Sequence, residues 1–130
     1  MTPNSLLSLL GLAYKGRHIE TGEHPVSVAL RSKKARIVLV ACDSAENTKK
    51  RLRSWTESNR VPLFELDCTK EELGAAFGKA SCSMAAITDA GLALTALKQL
   101  DPDGAHAETI RKLEGIKERK ARKAAGRGKS

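Results

Sequence analysis

The chain has 130 residues, 41% of them hydrophobic and 3% aromatic, and its 23 Lys+Arg against 15 Asp+Glu give a formal charge of +8. That is the length of one domain with enough apolar content for a core, which excludes a wholly disordered chain. A surface of stacked rings is not expected from Tyr14, Trp55, Phe64 and Phe77 alone, and neither longer apolar run, from Leu6 to Ala13 or from Ile37 to Cys42, approaches the ~20 residues that cross a bilayer.

Leu6, Leu7, Leu9, Leu10 and Ala13, behind a first-turn Pro3, predict a helix ending near Lys15-Gly16. Arg17 to Ile19 is a short strand candidate. A second helix opens at Gly22-Glu23-His24-Pro25, with Val26, Ala29 and Leu30 inward; Pro25 is tolerable because it lies in the first turn. Arg36 to Ala41 is almost continuously apolar and rich in β-branched residues, the pattern of a strand buried on both faces. Asp43 and Glu46 have capping-box spacing, so Asp43 is expected to cap a third helix carrying Lys49, Lys50, Arg51 and Arg53, with Leu52 and Trp55 inward. Val61 to Leu66 is the next strand, with Pro62 near its start. Thr69 and Glu72 form a second capping box, opening a helix that buries Leu73, Ala76 and Phe77 and stops at Gly78. Ser83 to Ile87 is the last strand, and Asp89 caps a final core helix through Leu92, Leu94 and Leu97. Alternation of this kind implies a three-layer α/β/α sandwich around a small mixed four-stranded sheet.

Residues 1–100 carry 14 basic and 10 acidic side chains, and residues 101–130 carry 9 and 5. From Lys117 onward there are seven basic residues and one acid. The chain therefore divides into a mildly basic domain, residues 1–100, and a basic C-terminal extension, 101–130, hinged at Asp101-Pro102-Asp103-Gly104. The extension is helical or disordered; Ile110, Leu113 and Ile116 make a narrow apolar stripe that Gly115 interrupts. Charge of this kind points to a polyanion partner, because Lys and Arg release counterions from phosphate.

Catalytic signatures are missing. No Gly-x-Gly-x-x-Gly follows a strand, and the Gly126 to Ser130 end imitates a phosphate loop with no helix behind it. His18, His24 and His106 do not share a metal-like spacing. Cys42, Cys68 and Cys82, odd in number and with no Cys-x-x-Cys, suggest neither a disulfide framework nor a zinc site and read as reduced, mostly buried thiols. No cofactor and no metal are expected, and a small α/β enzyme has only the fold class in its favour. With no positive stretch ahead of the leucines, no secretion signal is expected, and the protein reads as cytoplasmic.

Several stretches in register carry a resemblance: Leu10 to Ala13, Gly22-Glu23, Ala35 to Val40, Asp43 to Lys50, Lys70 to Gly74, Gly78-Lys79 and Ala86 to Asp89. Together, over roughly residues 5–98, the chain resembles the kink-turn RNA-binding ribosomal proteins of the L-seven-Ae and L-thirty-e group, in their small bacterial ribosome-associated branch. The resemblance implies an α/β/α sandwich that binds RNA without catalysis. It implies an RNA surface made of the second helix start, the loop after the central strand and the loop before the last strand. On this chain those are Gly22 to Val28, Cys42 to Ser44 and Lys79 to Ser83. The expected contact residues are Arg17, Gly22, Glu23, His24, Asp43, Lys49, Lys79, Ala80, Ser81 and Cys82. Gly22 lets backbone approach RNA, and small residues at 80–82 leave room for an extruded base. The family's helix start carries Asn, Glu and Lys for the paired G·A bases, where this chain has His24, Pro25 and Val28. The expected function is thus binding of structured RNA, kink-turn-type or ribosomal, with relaxed kink-turn specificity and nonspecific help from the basic tail. RNA is the expected partner, with the ribosome as a candidate assembly, no membrane, and the protein a monomer. The alternative is a protein-interaction module of the translation or transcription machinery that has lost RNA recognition.

Overall fold

The computed structural model describes residues 4–100, residue 111 and residues 113–116. Pro3, the 101–104 hinge, His106, Ile110 and the basic run from Lys117 lie outside the described residues. Among the described residues up to Leu100, five helices and four strands alternate: α1 (Asn4–Lys15), β1 (Ile19–Thr21), α2 (Glu23–Arg31), β2 (Ile37–Val40), α3 (Glu46–Asn59), β3 (Leu63–Glu65), α4 (Lys70–Ala76), β4 (Met84–Ile87) and α5 (Ala90–Leu100). The strand order is β1-β4-β2-β3. β4 runs antiparallel to both β1 and β2, pairing Thr21 with Ala85 and Val40 with Met84, while β2 and β3 are parallel. The sheet is mixed and four-stranded, as expected.

All four residues of β2 are buried, because the pleat sends alternate side chains into two separate cores. Ile37 and Leu39 pack with Leu6, Leu10, Leu73 and Leu97 from α1, α4 and α5. Val38 and Val40 pack on the other face with Val26, Leu30 and Leu52 from α2 and α3. Each fully buried side chain of this size is worth ~1.5–3 kcal/mol of transfer free energy. Leu39 is wholly buried at the centre, and its truncation to Ala would cost about 2–5 kcal/mol.

Local chemistry sets most element ends. The Thr69 hydroxyl accepts from the Glu72 N–H at 3.2 Å and the Glu72 carboxylate accepts from the Thr69 N–H at 3.0 Å, a reciprocal box at the start of α4. Asp89 accepts from the Leu92 N–H at 2.9 Å and starts α5. β2 and β4 differ from expectation by a single residue at an end, and three boundaries differ by more. β1 begins at Ile19 rather than Arg17, because Arg17 takes a left-handed conformation (φ 63°) that closes the C-terminus of α1. β3 spans 63–65 rather than 61–66, because the Val61 N–H is spent on the Thr56 carbonyl at the end of α3. α3 starts at Glu46 with Ala45 as its N-cap and no side-chain cap, so Asp43 does not cap it. The Asp43 carboxylate instead accepts from the Lys70 N–H at 2.8 Å and caps α4 across the sheet end. Its range of 27 residues is outside any local pattern.

Beyond α5, Arg111 and residues 113–116 are helical. Leu113 is buried in the α1/α4/α5 core and Ile116 packs against it. The apolar stripe of the extension is thus turned onto the chain's own core at these two positions.

Candidate nucleic-acid interface

The register puts the C-termini of β1, β2 and β3 and the N-terminus of β4 at one end of the sheet, here the upper end. Gly22 follows β1 there, in a conformation (φ 94°, ψ 164°) that a residue with a Cβ reaches only under strain. Its N–H donates to the Met84 carbonyl at 3.2 Å, which ties the tip of α2 to β4. The first intrahelical bond runs from the Val26 N–H to the Gly22 carbonyl. Pro25 has no N–H, so the Glu23 and His24 amides are the donors at the tip, and no side chain caps them. α3 starts beside it at Ala45, also without a side-chain cap. Two helix N-termini, each a partial positive charge, therefore open on the same side.

The loop before β4 completes this end. It is held on α4 by the Lys79 N–H donating to the Gly74 carbonyl and the Cys82 N–H donating to the Lys70 carbonyl, both at 2.9 Å. The approach is so close that a Cβ on Gly74 would stand 2.6 Å from the Ser81 Cα. Lys79 lies exposed, its ammonium donating to the Thr21 hydroxyl at 2.6 Å and standing 5.6 Å from the Tyr14 ring centre. The loop after β2 is pinned by the buried Ser44, whose hydroxyl donates to the Ser83 carbonyl at 3.1 Å. Between these parts lies an open depression of about 410 Å³, lined by Gly22, Ala45, Thr48, Lys70, Lys79 and Ser81 among others.

The ten expected residues divide. Gly22, Lys79, Ser81 and Cys82 meet at the depression. Ala80 is exposed beside them in the same loop. Cys82 is buried, its thiol donating to the Met84 carbonyl at 3.1 Å; burial pushes that thiol's pKa up. Glu23 is paired with Arg51, at 3.2 Å, so its carboxylate is partly neutralised. His24 is exposed on the outer side of α2, in a neighbouring groove with Pro25 and Val28. Asp43 is occupied in capping α4. Lys49 is turned inward, its ammonium donating to the Cys42 carbonyl at 2.8 Å and pairing with Glu65. Glu65, then Glu46, hold its pKa above the ordinary 10.5 against the opposing effect of burial. Arg17 sits at the other end of β1, in the groove that reaches His24.

Sequence reasoning missed Thr21, Ala45, Thr48, Lys70 and Arg51. Lys70 had a signal: it is a cation in the first turn of a helix, directly after the Thr69 of a capping box. The others join the site only through strand pairing.

The profile of the Ribosomal protein L7Ae/L30e/S12e/Gadd45 family matches residues 4–96. The chain belongs to this family. It is 42% identical over 60 residues, 46% of this chain and 58% of the relative, to the RNA-binding protein YlxQ of Enterococcus faecium. It is 32% identical over 93 residues, 72% of this chain and 92% of the relative, to the RNA-binding protein YlxQ of Bacillus subtilis. The large ribosomal subunit protein eL30 of Neurospora crassa is 32% identical over 88 residues, 67% of this chain and 81% of the relative. Among solved structures, a Bacillus halodurans protein of unknown function superposes with a TM-score of 0.72 at 30% identity, covering 76% of this chain and 99% of that one. The Giardia lamblia 15.5-kDa RNA-binding protein shares the fold, with a TM-score of 0.64 at 18% identity, covering 78% of this chain and 92% of that one. The family's relatives are RNA-binding and ribosomal proteins rather than enzymes, in agreement with the non-catalytic reading. Among the described residues no helix is long and apolar enough to cross a membrane, and no group of three His, Cys, Asp or Glu could hold a metal ion.

Proposed function

We propose that this protein binds structured RNA through the upper end of the sandwich, without catalysis and with relaxed kink-turn specificity. One observation carries the reading: the uncapped tips of α2 and α3 and the lysines Lys70 and Lys79 open on a single depression also lined by Thr21, Thr48 and Ser81. Free N–H groups, ammonium groups and hydroxyls around one hollow are what a phosphate chain needs. The names of the YlxQ and eL30 relatives support the same partner.

Relaxed specificity follows from α2. Pro25 has no donor or acceptor on its side chain, and Val28 is an exposed hydrophobe, 42% accessible, where the family places a lysine. A side chain that hydrogen-bonds a base edge supplies ~1–3 kcal/mol of discrimination, and neither residue can do so. The seven basic residues from Lys117 onward would add nonspecific phosphate attraction. The alternative, a protein-interaction module built on the Ile110/Leu113/Ile116 stripe, loses support because Leu113 is buried in the chain's own core. The ribosome is the assembly on which the chain, as a monomer, would meet such RNA.

The test is the affinity of the full chain for a kink-turn RNA and for the same RNA with its tandem G·A pairs replaced by Watson–Crick pairs. Binding of both, with less than about tenfold difference (~1.4 kcal/mol), is expected. Discrimination of several hundredfold would contradict relaxed specificity, and failure to bind either RNA would contradict the function itself.

A further inference from the structure

The three non-glycine residues with positive φ among the described residues are Arg17 (63°), Lys33 (64°) and Arg60 (56°). All three are basic. Each follows a helix C-terminus and precedes a strand, so all three lie at the lower end of the sheet, opposite Gly22. A left-handed position after a helix is where Gly or Asn is ordinarily found, since a Cβ there meets backbone. A basic residue near a helix C-terminus does complement the dipole. That accounts for the charge but not for the choice of conformation, and it does not reach Arg36, which precedes a strand.

Lys33, Arg36 and Arg60 surround one cavity of about 160 Å³, walled by Leu113 and Ile116 of the extension. Among the described residues, no acidic side chain lines it. Lys33 donates to the Asn59 side-chain oxygen at 3.2 Å, which draws the ends of α2 and α3 together. The Arg36 Nε–H is buried with no hydrogen-bond partner. A guanidinium N–H removed from water without an acceptor is costly, and an anion in the cavity would supply the acceptor. Glu57 lines an adjacent groove beside Arg53, Glu20 lines another beside Arg17, and Glu114, between the two apolar wall residues, is exposed. The upper end differs, because two of its cations are already paired, Lys49 with Glu65 and Arg51 with Glu23.

We propose that the lower end is a second phosphate site, formed by Lys33, Arg36 and Arg60, through which the protein grips a separate stretch of the same RNA. From Arg36 to Cys42 the chain makes six strand steps, so the two sites stand ~20 Å apart. A folded RNA can span that distance; an isolated nucleotide cannot. The proposal rests on the RNA-binding reading above, and its test separates the two.

The full chain is titrated with a stem–internal-loop RNA, and in a second arm with inorganic phosphate, while the Arg36 Nε–Hε resonance and the Glu23 and His24 amides are followed by NMR. The salt dependence of RNA affinity is measured for the wild type and for the Lys33→Gly/Arg60→Gly variant. Glycine suits both positions, so this variant keeps its fold. The Arg36 resonance is expected to move with RNA, and the variant's slope of log K against log[salt] is expected to be shallower by about 1.4–1.8, the share of two phosphates. An Arg36 resonance that RNA leaves in place, or equal slopes for the two proteins, would overturn the second site even while the Glu23 and His24 amides respond. Movement with inorganic phosphate but not with RNA would assign the cavity to a free phosphate group and equally overturn the proposal. No response of the wild type to RNA at either end would overturn the RNA-binding reading on which the proposal rests.

Discussion

Gly74→Ala tests how the depression is built. On helix propensity alone, Ala in place of Gly inside α4 should stabilise by ~1 kcal/mol. Here the new Cβ would stand 2.6 Å from the Ser81 Cα and 2.8 Å from its N and C atoms. All three are backbone atoms, so no side-chain rotation relieves the contact. Overpacking of this kind costs ~1–3 kcal/mol or more. Moving the loop away would also strain the Lys79–Gly74 and Cys82–Lys70 hydrogen bonds, each worth ~0.5–1.5 kcal/mol net. The clash outweighs the propensity, leaving a net loss of about 1–3 kcal/mol. For a domain of this size that is a fall in Tm of roughly 5–20 °C. Urea unfolding followed by tryptophan fluorescence reads it through Trp55. The same shift carries Lys79 and Ser81 off the depression, so RNA affinity of the folded variant should fall about tenfold, ~1.4 kcal/mol. A Gly74→Ala protein as stable as the wild type, or more so, would refute the claim that the loop is seated on α4 at contact distance.

Asp43→Ala should cost about 1 kcal/mol in chemical denaturation through loss of the α4 cap, and Glu46→Gln should not reproduce it, since Asp43 serves Lys70 and not α3. Pro25→Glu with Val28→Lys should raise kink-turn affinity relative to the G·A-replaced RNA by ~10²-fold or more in paired titrations, because two base-contacting groups return; no change would mean that the α2 tip does not face the bases. Lys49 carries a raised pKa from its Glu65 partner, so its contribution to stability is present below the ordinary 10.5, as long as the Glu65 carboxylate is charged, and is lost as pH rises through the folded value. Denaturation midpoints should therefore be steady in this respect up to about pH 10 and fall above it, and Glu65→Gln should flatten that part of the alkaline decline. Arg60→Gly should stabilise the protein by about 1 kcal/mol in thermal unfolding, by removing a Cβ from a left-handed position at the end of α3.

The order of elements was legible because the decisive patterns are local. A β-branched run bounded by charge gave β2, the Thr69-to-Glu72 spacing gave α4, and Asp89 gave α5. Asp43 misled because its capping-box spacing is genuine, while its actual recipient is 27 residues away across the sheet end. Among the lysines, sequence could not separate Lys49 from Lys70 and Lys79. Only the parallel pairing of β2 with β3 brings Glu65 under α3 and occupies Lys49. Arg17 looked close to the Gly22 tip along the chain, yet an intervening strand sends it to the opposite end. Leu113 read as part of a narrow stripe on a separate tail, and its burial against the α1/α4/α5 core is a long-range contact that the spacing of the stripe does not encode.

The claim that RNA lies on the tip of α2 and the loop before β4 is tested most directly by photo-crosslinking the full chain to RNA in cells and sequencing the crosslinked peptides. Adducts are expected on residues 21–28 and 79–83, with structured RNA attached. Adducts confined to the extension from Lys117 onward, with those two segments clean, would contradict it.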